Sequence, residues 1–313
     1  MRICFFGVGG VGGYFGTLVT KRFKNQHEIF FIARGKHKDE IQKNGLVLKK
    51  SGGKEIINVI PDLCVDDVNN IPVCDIIILS VKSYDLDNAV KDIVRISDNK
   101  TIILPLLNGV DIYERIRKNL ATGVVLPSCV YIGTHIESPG AIFQKGGNCK
   151  IHLGNDPMKP EEDIVNLKSI LQESGINFSQ EENVNIAIWS KFMFIATYGL
   201  VTATYNTTIG RIFIDDNLKE KTRSIMEEIY SISKKMDVPL SDDIVESSLL
   251  KAKEFSFETK TSFQRDVESK GKINEGDLFG GTIIRLGEKL NIPTPVTKEV
   301  YGKFLRMMQG TGD

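Results

Sequence analysis

The chain has no surplus of either charge: 40 Lys and Arg stand against 40 Asp and Glu over 313 residues. A general nucleic-acid binder needs a basic excess to neutralise phosphates, so that class is disfavoured. Histidine is scarce, with four residues, and the five cysteines (Cys4, Cys64, Cys74, Cys129 and Cys149) include no C-x-x-C pair. Neither a disulfide framework nor a metal site is expected, and reduced thiols in a cytoplasmic protein are the simpler reading. The N-terminus lacks the longer apolar core and small-residue cleavage site of a secretion signal, so none is expected. Internal repeats and low-complexity tracts are also missing. Hydrophobic residues make up 41% and charged ones 26%, as in a folded globular protein, and the length suffices for two domains.

Long uncharged runs are rare, with one exception. From Asn183 to Arg211 the only charge before the final arginine is Lys191. Nine threonine, tyrosine, glycine and asparagine residues crowd the second half, whereas a bilayer span is more uniformly apolar. The stretch is expected to be a helix buried in protein. Its lone lysine then stands out, because burying an ammonium is unfavourable unless it has a partner or a task.

The first half alternates apolar runs with helical patterns. Strands are expected at 2–6, 28–33, 74–81 and 101–107, weaker ones near 46–50 and 56–60, and helices at 14–23, 84–96 and 111–120. Such alternation implies a parallel sheet covered on both faces. Segments 123–134, 141–146 and 149–154 are expected to extend that sheet antiparallel, followed by a helix at 159–174. Beyond residue 182 the patterns are helical almost throughout: 183–206, 215–236, 241–257, 259–269, 277–291 and 295–308.

Gly7, Val8, Gly9, Gly10, Val11 and Gly12 fit G-x-G-x-x-G, directly after an apolar strand and opening a helix. That context turns a weak pattern into a dinucleotide-binding signal. Gly7 permits the tight turn, Gly9 lets backbone approach a pyrophosphate, and Gly12 allows close helix–strand packing. The fold class is therefore α/β. An N-terminal Rossmann-type doubly wound sheet (1–180, dinucleotide-binding) precedes a C-terminal all-helical domain (181–313).

An NAD enzyme usually carries Asp or Glu at the end of the second strand, for the ribose 2′-hydroxyl. Here Arg34 stands there, followed by Gly35, Lys36, His37 and Lys38. A guanidinium matches a 2′-phosphate, so NADP(H) is the expected cofactor. Two further loops follow strand ends, where ligands meet such sheets: Lys82 is placed to approach a cofactor phosphate or ribose, and Asn108 a ribose or substrate oxygen.

Across nearly its whole length the chain resembles the ketopantoate reductase family. The resemblance rests on the glycine turn, Arg34, Val81 with Lys82, and Asn108 with Gly109. It continues through Trp189 to Lys191, Thr261 and Ser262 with Asp266, Glu275 followed by Gly281, and Ile292 to Pro295. It implies NADPH-dependent reduction of 2-dehydropantoate (ketopantoate) to (R)-pantoate, for pantothenate and coenzyme A synthesis. It also implies Lys191 as general acid and Glu275 as its partner, with Asn108, Ser262 and Thr202 binding substrate. The expected partner is a small 2-oxo acid, with no nucleic acid or membrane; a homodimer is compatible with this reading.

One departure bears on the substrate. Family members often carry Asn four and eight residues after the lysine, on the same helix face. Here those positions hold Ile195 and Gly199. A site without hydrogen-bonding groups discriminates poorly for substrate hydroxyls. A reductase of another branched 2-oxo acid therefore stays open, as does a non-catalytic NADPH-binding regulator.

Overall fold

A computed structural model describes residues 1–53, 55–146, 148–269 and 273–310. The chain divides into two compact units, Met1–Val184 and Asn185–Asp313. In the first unit the elements run β1 (Arg2–Phe6), α1 (Gly10–Phe23), β2 (Glu28–Ile32), α2 (Gly35–Asn44), β3 (Leu46–Lys50), β4 (Ile56–Val59) and β5 (Leu63–Val65). Then come β6 (Ile76–Leu79), α3 (Leu86–Arg95), β7 (Ile102–Pro105), α4 (Ile112–Arg117), β8 (Val124–Val125), β9 (Ser128–Tyr131) and β10 (Thr134–Ser138). Next are β11 (Ala141–Gln144), β12 (Lys150–Leu153), α5 (Val165–Glu173) and β13 (Phe178–Gln180).

Six strands form the main sheet in the order β5-β2-β1-β6-β7-β8, every pair parallel. This is the doubly wound order of dinucleotide-binding domains, with its reversal between β1 and β6. The strands are apolar without alternation because both faces are covered. Ile3 and Phe5 of β1 belong to one core, Cys4 and Phe6 to the other.

The expected antiparallel extension is not there. Of those segments only β8 joins the main sheet, and it runs parallel to β7. The rest build two small sheets, β10-β11-β3-β4 and β13-β12-β9. Strands β4 and β12 alternate buried with less buried residues, as suits a sheet covered on one face. The four-stranded sheet lies on α1, where Gly13 permits the approach: a Cβ there would come 2.7 Å from Ile142 of β11. Helix α2 and strand β5 were not expected either. Only Ile41 of α2 is buried, so the segment has no apolar period to read, although Gly45 (φ +83) ends it in the usual way for a helix.

The second unit contains the rest of α6 (Val184–Thr204), then α7 (Ile209–Ile212), α8 (Asp216–Lys235), α9 (Ile244–Lys251), α10 (Ser262–Glu268), α11 (Thr282–Leu290) and α12 (Pro295–Met308). A π-helical turn, Asp277–Gly281, leads into α11. Among the described residues α6 alone is long and apolar enough to span a bilayer, and 67% of that stretch is buried within the protein. The buried Glu228 of α8 accepts the N–H groups of Val296 (2.7 Å) and Thr297 (3.0 Å) and the Thr297 hydroxyl, and so caps α12.

Another buried carboxylate ties the first unit together. Asp156 accepts from Tyr113 Oη (2.7 Å), the Val125 N–H (2.9 Å), the Met158 N–H (3.0 Å) and the Arg117 guanidinium. Both ion-pair side chains are buried. Asp156→Ala leaves that guanidinium without its counter-charge and should lower the unfolding free energy by about 3–5 kcal/mol. Urea denaturation measures it, and a negligible loss would remove the network from the stability of this unit.

Candidate functional site

The N-terminal part of the site is built at the carboxyl ends of strands. After β1 the chain turns at Gly7, whose φ of +95 favours glycine. A Cβ there would also stand 2.8 Å from Val81 Cγ1. Gly7 and Val8 donate their N–H groups to Ile32 O at 3.2 and 2.8 Å, which ties the turn to the end of β2. Ser80, just past β6, donates its hydroxyl to Gly7 O at 2.9 Å. Gly12 lies against this bond: a Cβ would come 2.3 Å from Ser80 Oγ and 2.4 Å from Gly7 O.

Gly9 caps α1 and behaves differently. Nothing lies within 4 Å of the place its Cβ would occupy. Gly10 and Val11 then open the helix, which has no acidic residue in its first turn. First-turn amides have no acceptor within a helix, and the dipole there favours negative charge. An open approach over backbone N–H groups, at the reversal of the sheet, fits a dinucleotide's pyrophosphate.

Arg34 stands just past β2, at the N-cap of α2. Its guanidinium is 61% exposed and 3.4 Å from Asp85. So exposed and long a pair holds it only weakly. Lys38 is engaged by Asp66 at 2.8 Å, while Lys36 is exposed. His37 accepts the Gly140 N–H on Nδ1 at 2.9 Å, and burial holds its imidazole below the ordinary pKa. Lys82 is exposed in the loop after β6, and Asn108 is half-buried in the loop after β7, before Gly109 (φ +129).

In the helical unit Lys191 lies on α6 and is only 9% exposed; Glu275, just before the π-helical turn, is 7% exposed. Residues 195, 198, 199 and 202 follow the lysine by one, two and three turns. Thr202 is wholly buried, and its hydroxyl donates to Tyr198 O at 2.7 Å. It also meets Thr261 Oγ1 at 2.9 Å, which in turn accepts from the Gln264 N–H and caps α10. Ser262, the first residue of α10, is exposed. Ile195 is half-buried. A Cβ on Gly199 would lie 3.5 Å from Phe263 and 3.6 Å from Phe279, two rings packed edge to face. Two elements that carry or adjoin expected site residues thus meet on α6, the helix of Lys191: α10 with Ser262, and the turn after Glu275. Ser80, Phe263 and Phe279 escaped the sequence reading, since an isolated serine or phenylalanine has no local signature.

Family models described as ketopantoate reductase PanE/ApbA match residues 3–157, and its C-terminal counterpart matches 183–308. A 2-dehydropantoate 2-reductase of Aquifex aeolicus is 26% identical over 99% of both chains. The crystal structure of a PanE/ApbA family ketopantoate reductase from Ralstonia eutropha superposes with a TM-score of 0.88, at 25% identity over 99% of both chains. The fold also matches D-mandelate dehydrogenase, solved with NADH and anilino(oxo)acetate, with a TM-score of 0.86 at 20% identity over 99% of both chains.

The two glycines separate fold from binding. Gly12→Ala should lower the unfolding free energy by about 1–3 kcal/mol through overpacking. Gly9→Ala should leave stability unchanged and weaken dinucleotide binding. Denaturation and ligand titration of both variants check this; the reverse order would refute the cradle.

Proposed function

We propose a function from one premise: the chain belongs to the ketopantoate reductase family. It is an oxidoreductase of that family, whose substrates are small oxo acids and whose cofactor is NAD(P). The finer reading is NADPH-dependent reduction of ketopantoate to (R)-pantoate, a step toward pantothenate and coenzyme A. Its support is the burial of Lys191 on a helix with no other charge. A cytoplasmic setting belongs to the same reading, supported by five free cysteines.

NADPH, when bound, supplies the hydride that reduces C2 of the 2-oxo acid. Gly7 to Gly12 hold its pyrophosphate, Arg34 its 2′-phosphate, and Lys82 and Asn108 its phosphate and ribose oxygens. Lys191 stabilises the charge that develops on the ketone oxygen and donates the proton from Nζ. Glu275 accepts a hydrogen bond from that amine or from the nascent hydroxyl. Asn108 and Ser262 bind the acid. Thr202, whose hydroxyl proton is already given to Tyr198, serves the substrate by holding Thr261 and hence the start of α10.

A second reading is favoured by positions 195 and 199. Ile195 and Gly199, the latter backed by Phe263 and Phe279, offer no hydrogen bond to a substrate hydroxyl. A branched 2-oxo acid without that hydroxyl suits such a wall.

NADPH oxidation followed at about 340 nm separates these readings. Lys191→Ala should lower kcat by roughly a hundredfold or more, the scale of a general acid, with NADPH affinity little changed. A near-normal kcat would exclude Lys191 from the chemistry. In the same assay, kcat/KM for ketopantoate should exceed that for 2-oxoisovalerate; no advantage would transfer the assignment to the second reading. Clear NADPH binding without turnover of any 2-oxo acid would mark a regulator.

Cofactor choice has its own test. Wild type should prefer NADPH to NADH by KM, and Arg34→Ala should erase the preference. A preference that survives the substitution would acquit Arg34.

A further inference from the structure

Gly281 belongs to the pattern on which the resemblance rests, yet the chemistry above gives it no task. Its neighbours supply one. The π-helical turn Asp277–Gly281 runs straight into α11, and Arg285 of that helix reaches back over it. The guanidinium forks onto the Asp277 carboxylate, Nη1 to Oδ1 at 2.7 Å and Nη2 to Oδ2 at 3.1 Å, and Nη2 also donates to Thr282 Oγ1 at 3.1 Å. Eight residues are about 12 Å of helix, twice the spacing at which helical side chains ordinarily pair. The fork closes only because position 281 has no side chain: a Cβ there would lie 2.1 Å from Asp277 Oδ1 and 2.8 Å from Arg285 Nη1.

Elsewhere the turn is held by packing. A Cβ on Gly276 would meet Phe304 at 2.5 Å and one on Gly280 would meet Tyr301 at 2.4 Å, two rings of α12 stacked on each other. That contact sets how deep the backbone lies, whereas a planar two-point fork sets its rotation. Glu275 stands at the head of this turn: its carbonyl accepts the Phe279 N–H at 3.2 Å, and Gly276 is already helical (φ −58, ψ −40). Any rotation of the turn is therefore passed to Glu275, which is buried and has little room to correct it. The fork itself lies in solvent, with Arg285 54% and Asp277 70% exposed, so it contributes little to stability.

We propose that Asp277 and Arg285 are positioning residues for the reduction: their fork, closed over Gly281, sets the rotation of the π turn and so aims the Glu275 carboxylate. The proposal rests on the reading above in which Glu275 serves Lys191. Neither side chain is assigned a contact with substrate. Lysine at 285 would keep the charge and lose the fork, because an ammonium is a point charge without a planar pair of donors.

The test follows kcat, KM, NADPH affinity and thermal midpoint in the full chain, with the better of ketopantoate and 2-oxoisovalerate. Asp277→Ala, Arg285→Ala and Arg285→Lys should each lower kcat about tenfold, less than the roughly hundredfold effect of an ångström's misplacement, with KM and NADPH affinity little changed. The double variant Asp277→Ala with Arg285→Ala should be no slower than either single one, since the two act as a unit. The alkaline limb of kcat should move to lower pH, because a carboxylate turned away supports the Lys191 ammonium less. Thermal midpoints should hold. Wild-type kcat in the single variants overturns the proposal, as do full activity in Arg285→Lys, losses that multiply in the double variant, or midpoints that fall in step with kcat. Glu275→Gln is the control. Wild-type kcat there overturns the reading of Glu275 itself, whereas reduced kcat there beside fully active Arg285 variants sinks the positioning role alone. A wild-type chain that turns over no 2-oxo acid overturns both.

Discussion

An ammonium held in an apolar helix is the constraint on which the functional reading depends. Water solvates a lysine head group well, and protein interiors do not, so a buried lysine must meet compensating groups. On α6 no other side chain is ionised, and the compensation has to come from neighbouring elements. The helical unit is arranged accordingly. Thr261 at the head of α10 is hydrogen-bonded to Thr202, Phe263 and Phe279 close over Gly199, and the buried Glu275 stands just before the π-helical turn. Single π turns are uncommon and recur at functional sites, because the extra residue re-aims the side chains around it.

The nucleotide half relies on a different economy of space. Gly12 is small so that Ser80 can reach Gly7, whereas Gly9 is small with nothing beside it. The first absence serves packing and the second leaves backbone accessible. A single motif thus contains two physical requirements, and only three-dimensional neighbours tell them apart.

Much of this was legible in the residues alone. Strand, glycines and helix follow one another without interruption at the N-terminus, so the motif and its local structure could be read together. The uncharged surroundings of Lys191 are likewise a local fact. What stayed hidden was non-local. Short strands reveal that they pair but not with whom, and β3, β4, β10 and β11 went to a separate sheet for that reason. Helix α2 has one buried apolar residue and no period. Thr134 meets Gly10, and Asp156 gathers Tyr113, Arg117 and Val125, across separations that no window along the chain can span.

The clasp between α8 and α12 bears on how the chain is made. Glu228 leaves the ribosome well before the amides of Val296 and Thr297 that complete its shell, 68 and 69 residues later. Until they arrive, the nascent helical unit has a solvent-seeking carboxylate where its interior is to form. A chain terminated ahead of Pro295 would strand that charge permanently. Premature termination would thus damage the unit through electrostatics as well as through lost packing, and the closing segment acts as a keystone for everything translated between.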